Sequence, residues 1–209
     1  MKIGIIEYGM GNVTSVANAF AVLGAEPIIA HDPEDLRGAD AVVLPGVGAF
    51  GDGIRNLRER GWAEVLEEEV RGRSKPFLGL CLGMHLIADE GTEHGRVPGL
   101  GWIHGTVDRL RSDQTGLRVP HIGWNDVTFA AETRLFHGLA QPAAFYFAHS
   151  YALHGDGAFV TAECDYGDRF AAGIEQNNVA ATQFHPEKSH RLGLAVLRNF
   201  LEQFCGARA

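Results

Sequence analysis

The sequence predicts an α/β fold: a mixed, mostly parallel central sheet flanked by helices, with added antiparallel strands. Three observations predict it. Before Gly91, short apolar runs alternate with segments of helical periodicity, the pattern of a parallel sheet. After Gly91, strand-like pieces follow one another at hairpin spacing and helices almost vanish. Between the two textures, Gly79-Leu80-Cys81-Leu82-Gly83 ends an apolar strand and turns directly into an apolar helical segment reaching toward Ala88.

The elements follow in order. Lys2 to Tyr8 is Ile-rich and alternates little, as a strand buried on both faces requires. Gly9-Met10-Gly11-Asn12 then turns into a helix carrying Val16, Ala17, Phe20 and Leu23, with Gly24 placed to cap it. Pro27 to Ala30 and Ala41 to Leu44 are the next strands, separated by Asp32-Pro33 and a short helical piece. Helical segments follow at Asp52 to Arg60 and Trp62 to Val70, and Pro76 to Leu80 is a fourth parallel strand. In the second half, Trp102 to Leu110, Val119 to Phe129, Ala143 to Tyr151, Phe159 to Asp165, Phe170 to Glu175 and Val179 to Phe184 read as strands that add to the sheet antiparallel. Tyr166-Gly167-Asp168 and Asn177-Asn178 supply tight turns. A closing helix over Arg191 to Phe204 carries Leu194, Leu197 and Leu201 at spacings that pack it back on the sheet.

A chain of 209 residues with 45% apolar content buries a substantial core, and one domain over residues 1–209 is expected. No apolar run approaches a membrane span and the N-terminus has no signal-peptide pattern, so a cytoplasmic protein is expected. Cys81, Cys164 and Cys205 are odd in number and form no C-x-x-C pair, which supports neither a disulfide framework nor a zinc site. The 18 basic residues are scattered and the net charge is −8, so nothing marks a nucleic-acid or anionic-membrane surface. Arg55, Arg58, Glu59 and Arg60 read as a solvated helix face. Gly9-Met10-Gly11 with Asp32 suggests a dinucleotide fingerprint, but Thr14 stands where the third glycine is required.

The chemistry centres on Cys81. Glycines two residues away on either side have no Cβ to collide with neighbouring elements, as a sharp strand-to-helix turn demands, so Gly79 to Gly83 is a nucleophile elbow carrying sulfur. A merely buried cysteine does not need them. His185 lies just beyond a strand, and Pro186 biases it toward extended backbone, where His185 and Glu187 share a face. The imidazole then serves as base and the carboxylate as its orienter. Leu44-Pro45-Gly46-Val47-Gly48-Ala49-Phe50 leaves the same sheet edge as Cys81, where its backbone N–H groups and that of Leu82 suit a developing oxyanion.

A cysteine elbow followed by a distant His-Pro-Glu resembles the class I glutamine amidotransferases over nearly the whole chain, and implies their flavodoxin-like arrangement. Tyr8-Gly9-Met10-Gly11-Asn12, Pro45-Gly46-Val47-Gly48-Ala49-Phe50, Pro120-His121-Ile122-Gly123-Trp124-Asn125, Tyr146-Phe147-Ala148-His149-Ser150-Tyr151 and His185-Pro186-Glu187-Lys188-Ser189 resemble the branch of that family in histidine biosynthesis. The resemblance implies hydrolysis of glutamine to glutamate and ammonia. The ammonia then passes to a separate (β/α)8 barrel cyclase subunit, in a heterodimer, for imidazole glycerol phosphate formation. It implies Cys81, His185 and Glu187 as catalytic residues, Val47, Gly48 and Leu82 as oxyanion positions, and His149, Ser150 and Tyr151 as the segment holding the amino-acid end of glutamine. Asn12, Trp124 and Tyr146 fall in motifs that face the cyclase. No cofactor and no metal is implied.

His85 departs from the family, which usually carries a substrate-binding glutamine there, and is expected to alter glutamine affinity or make it pH-sensitive. Glu7 for aspartate and Gly51 for a frequent proline are minor departures. Two other readings keep the fold: the glutaminase of a different synthase, against which Pro120 to Asn125 and Lys188-Ser189 argue, and a non-catalytic binding module, motivated by His85 alone.

Overall fold

The computed structural model describes residues 1–155 and 157–206. Strand β1 (Lys2–Ile6) leads through helix α1 (Val13–Val22) to β2 (Glu26–Ala30), and a 3-10 turn at Pro33–Gly38 leads to β3 (Ala41–Gly46). Helices α2 (Phe50–Glu59) and α3 (Trp62–Leu66), the latter continued by a wide π turn at Glu67–Gly72, precede β4 (Phe77–Cys81) and α4 (Leu82–Leu86). Strands β5 (Ala88–Gly91), β6 (Val97–Pro98), β7 (Ile103–Arg109), β8 (His121–Phe129), β9 (Ala143–His149), β10 (Tyr151–His154), β11 (Val160–Asp165), β12 (Arg169–Gln176) and β13 (Val179–Thr182) follow. Helix α5 (His190–Asn199) and a π turn at Phe200–Phe204 close the described chain.

Nine strands form the central sheet in the order β2-β1-β3-β4-β13-β12-β11-β8-β9. The first five are mutually parallel and the remaining pairs antiparallel. Side-chain alternation divides the interior into two cores. Ile3, Ile5, Val43, Leu78 and Leu80 point to the face covered by Phe20 of α1 and Val196 and Leu197 of α5. Ile6, Val42, Leu44 and Phe77 point to the other face, covered by Ile54 and Leu57 of α2, Trp62 of α3 and Leu86 of α4. Among the described residues, no helix is long and apolar enough to cross a membrane.

Several sequence expectations are corrected. Strand β1 stops at Ile6, leaving Tyr8 buried in the turn that follows. The elbow helix ends at Leu86, because the N–H groups of Leu100, Trp102 and Ile103 take the carbonyls of Leu86 and Ile87 and draw the chain into strand β5. Strands β5, β6, β7 and β10 form a second sheet, ordered β10-β7-β5-β6, whose Ile103, Val107 and Leu153 enter the second core. The segment read as one strand to Tyr151 therefore bends at Ser150 and passes from one sheet to the other. Finally, β13 pairs with β4 in parallel, Thr182 opposite Leu80, filling the open edge of β4 rather than adding only an antiparallel strand.

The elbow rests on two close approaches. An ideal Cβ on Gly83 would stand 1.8 Å from the carbonyl oxygen of Leu44 on β3, and one on Gly79 would stand 2.8 Å from the carbonyl oxygen of Gly83. Helix α4 thus lies directly against the sheet, and Cys81 at its start takes φ 52° and ψ −108°, a backbone conformation costly for a side-chain-bearing residue. Gly83→Ala is expected to lower stability by about 3 kcal/mol or to prevent folding, because neither backbone can yield without moving the sheet. Urea denaturation followed by circular dichroism measures this, and a loss no larger than a surface substitution gives would contradict the packing.

Candidate active site

A cavity of about 380 Å³ opens at the carboxyl edge of β3 and β4, lined by Val47, Gly48, Cys81, Leu82, His85, Glu93, His149, Ser150 and Tyr151 among others. A larger hollow of about 810 Å³ along Glu64, Glu67, Glu68 and Arg71 is an open surface groove with no nucleophile. Cys81 is nearly buried yet borders the smaller cavity.

Parallel pairing with β4 delivers the residues after β13 to the same edge. His185 is held by its N–H, which donates to the Tyr146 carbonyl at 2.9 Å, and by its own carbonyl, which accepts from Ser189 Oγ at 2.7 Å. Its Nδ1–H donates to Glu187 Oε1 at 2.9 Å, and both side chains are buried. The sequence assigned this pair to strand alternation, but Glu187 lies in the 3-10 turn Pro186–Lys188 that follows an extended His185. His185 Nε2 and Glu187 Oε2 are buried without a hydrogen-bond partner, leaving Nε2 as the ring's free end.

Val47 and Gly48 enter the cavity from the turn after β3, where Gly48 takes φ +121°. His149, Ser150 and Tyr151 border it where the chain crosses between sheets. Two residues were missed in sequence. Glu93, in the turn after β5, lines the cavity and accepts the Phe50 N–H at 2.9 Å. Gln183 is fully buried, and its amide nitrogen donates to Cys81 Sγ at 3.8 Å while its carbonyl oxygen lies 2.7 Å from His85 Nε2. Glu93 carries no local signal, whereas Gln183 sits two residues before His185 and so shares its face in extended chain.

Asn12, Trp124 and Tyr146 stay outside this cavity. Asn12 caps α1 by accepting the Ser15 N–H, and it also borders a small void of about 10 Å³ shared with His185, Glu187 and Lys188. Trp124 is 49% exposed on β8, stacked on His190 at 5.1 Å and edge-on to Tyr146 at 6.2 Å.

Residues 4–204 match the family model described as glutamine amidotransferase class-I. The chain belongs to this family. Among the amidotransferase's relatives, the imidazole glycerol phosphate synthase subunit HisH 1 of Campylobacter jejuni (strain RM1221) is 44% identical over 95% of this chain and 98% of its own. The corresponding HisH subunit of Methanothermobacter thermautotrophicus is 46% identical over 96% of this chain and 98% of its own. A crystal structure of a glutamine amidotransferase shares the fold with TM-score 0.76 at 23% identity, covering 98% of this chain and 99% of that one. The Thermotoga maritima PurLQS structure does so with TM-score 0.76 at 19% identity, covering 97% and 98%.

Electrostatics separates the amidotransferase's titratable groups. Burial pushes the Cys164 and Cys205 thiols up to about 12, so neither is a reactive thiolate near neutrality. Burial also opposes charge on His185, but the Cys81 sulfur and the Glu187 carboxylate outweigh it and hold the imidazole well above its usual range. His85, by contrast, is pushed down to about 4 by burial against a smaller opposing hydrogen bond from Gln183, so it is uncharged near neutrality. The pH-sensitivity expected of it is therefore displaced well below neutral pH.

Two further histidines form a chain. His149 Nδ1–H donates to the Tyr151 carbonyl at 2.9 Å, which leaves Nε2 to accept from His121 Nδ1–H at 3.0 Å, and His121 Nε2 accepts from Asn125 at 3.4 Å. Burial pushes His121 down to about 4 and His149 to about 3. A neutral chain is what this donor order requires. Because His85, His121 and His149 bind protons less readily folded than unfolded, the unfolded chain holds the extra protons below 6.5 and above these lowered values. Stability is therefore expected to fall as pH drops from about 6.5 toward 4. His149→Asn is expected to reduce the proton uptake on unfolding by close to one, read from urea midpoints across that window, and an unchanged slope would contradict the assignment.

Proposed function

We propose that the chain is the glutaminase subunit of an imidazole glycerol phosphate synthase, with Cys81, His185 and Glu187 as its catalytic triad. One observation carries the reading: a strained cysteine borders the cavity at the carboxyl edge of the sheet while a buried His185–Glu187 pair at 2.9 Å leaves Nε2 free on the same edge. Identities of 44% and 46% over nearly whole HisH subunits support the same assignment.

The thiol proton passes to His185 Nε2, and the sulfur attacks the side-chain carboxamide carbon of glutamine. Backbone N–H groups at Val47, Gly48 and Leu82 stabilise the oxyanion. His185 returns its proton to the amide nitrogen, the C–N bond breaks, and ammonia leaves a γ-glutamyl thioester on Cys81. Water adds to the thioester with His185 accepting its proton, the C–S bond breaks, and glutamate departs. Glu187 holds Nδ1–H throughout, fixing the ring's orientation and favouring the imidazolium. Glu93 suits the α-ammonium of glutamine as the carboxylate in the cavity, with His85, His149, Ser150 and Tyr151 completing the binding site.

Ammonia released into water takes up a proton and loses the lone pair that the next reaction needs, so a sealed transfer to a partner is required. We assign that partner to a separate (β/α)8 barrel cyclase in a heterodimer of the cytoplasm. The surface beside the small void at His185, Asn12 and Lys188 supports it, since the exposed Trp124 and Ile122 lie on one strand with Tyr146 opposite Trp124.

Cys81→Ala is expected to abolish glutamate release, by at least about 1000-fold, when the chain is assayed with the cyclase subunit and its ligand. Glu187→Gln is expected to retain a weak residual activity, and Trp124→Ala to weaken partner association about tenfold or more in a titration of the two subunits. Full activity of Cys81→Ala would overturn the mechanism, and unchanged association of Trp124→Ala would overturn the docking surface.

A further inference from the structure

Helix α4 and the segment after β13 meet along two tiers, and the second tier takes no part in the proton transfers above. Cys81 ends β4 immediately before α4, and His85 lies in that helix, so that both border the same cavity. Gln183 lies just past the end of β13, two residues before an extended His185, and reaches both Cys81 and His85. The pairing across the gap is then Cys81 with His185 and His85 with Gln183. The second pair is closed by a 2.7 Å hydrogen bond between His85 Nε2 and Gln183 Oε1, with His85 5% exposed and Gln183 fully buried.

The two contacts of Gln183 select one amide orientation. Its nitrogen donates to Cys81 Sγ, so its oxygen must face His85. Turned over, the amide would set its carbonyl oxygen against the Cys81 sulfur, repulsive to a thiolate, and its N–H could bond His85 only if that ring took the opposite tautomer with Nε2 bare. A carbonyl acceptor at His85 Nε2 requires the hydrogen on that nitrogen, which fixes the tautomer. Nδ1 is then a bare acceptor, and it makes no hydrogen bond to the described residues.

We propose that His85 and Gln183 are a positioning pair for the nucleophile: His85 Nε2–H locks the Gln183 amide so that its N–H supports the Cys81 thiolate. The inference rests on the glutaminase reading for its purpose. In this tautomer histidine presents one donor and one acceptor, as a glutamine side chain also can, which gives a physical reason for its place four residues after the nucleophile. The titratable groups facing the pair are Cys81 and Tyr8 from the neighbouring turns, His185 and Glu187 alongside, and His149, Tyr151 and Glu93 around the cavity.

The test is the pH dependence of Cys81 alkylation by iodoacetamide, followed on the Cys81 peptide by mass spectrometry in the full chain, with neither glutamine nor partner present. Gln183→Leu and His85→Phe are each expected to raise the midpoint by about one pH unit, roughly tenfold slower labelling on its acid side. The double variant is expected to shift it no further than Gln183→Leu alone, while His85→Gln, which keeps a donor toward Gln183, stays with the wild type. Midpoints unmoved in both single variants would reduce the pair to core packing and overturn the proposal. Long-range ¹H–¹⁵N spectra of the wild type supply a second measurement that needs no substitution: Nε2–H at neutral pH is expected for His85, and Nδ1–H would overturn the proposal. Loss of glutamate release with an intact midpoint pattern would instead count against the glutaminase reading alone.

Discussion

The active-site edge depends on one steric constraint, the approach of Gly83 to the Leu44 carbonyl. Because no side chain fits between them, α4 lies flat against β3 and the chain must turn within a single residue at the end of β4. That residue is Cys81, whose positive φ stores strain that the surrounding sheet pairing holds in place. The same approach puts the Leu82 backbone beside the turn carrying Val47 and Gly48, so the cavity floor and the placement of Cys81 are consequences of one contact. Relaxing it moves both.

The parallel order of β3, β4 and β13 supplies the rest of the site. Adjacent parallel strands end at a common edge, so the three segments that follow them converge without any local sequence similarity. The antiparallel half of the chain acts differently. It carries His149, Ser150 and Tyr151 across from the large sheet to the small one, and this crossing forms one wall of the cavity that Cys81 borders. The small sheet also carries β5, whose following turn holds Glu93 against the first N–H of α2.

Four buried histidines show how neighbours, rather than burial, decide charge. Burial disfavours the imidazolium in all four. Only His185 has both the Glu187 carboxylate and the Cys81 sulfur beside it, and only there does attraction exceed desolvation. His85, His121 and His149 face amides, carbonyls and other imidazoles, so they remain neutral and work as directional hydrogen-bond links. One residue type thus provides one favoured imidazolium and three neutral connectors within the same region.

What the sequence determined by itself was local. Strand and helix order follows from apolar periodicity, the elbow from two glycines around Cys81, and the His185–Glu187 association from their separation of two residues, although a 3-10 turn rather than strand alternation joins them. These features are set by backbone sterics and by neighbours in the chain. Sheet membership was not: β7 and β10 leave the central sheet, and β13 joins it in parallel, because edge availability and the second core decide pairing over long distances. Gln183 and Glu93 belong to the same category. Gln183 meets Cys81 across 102 positions and Glu93 meets Phe50 across 43, long-range contacts that the spacing of Gln183 two residues before His185 does not by itself specify. The tertiary structure alone brings His85 to Gln183 and keeps it neutral, since that depends on burial and on a partner brought there by a different strand.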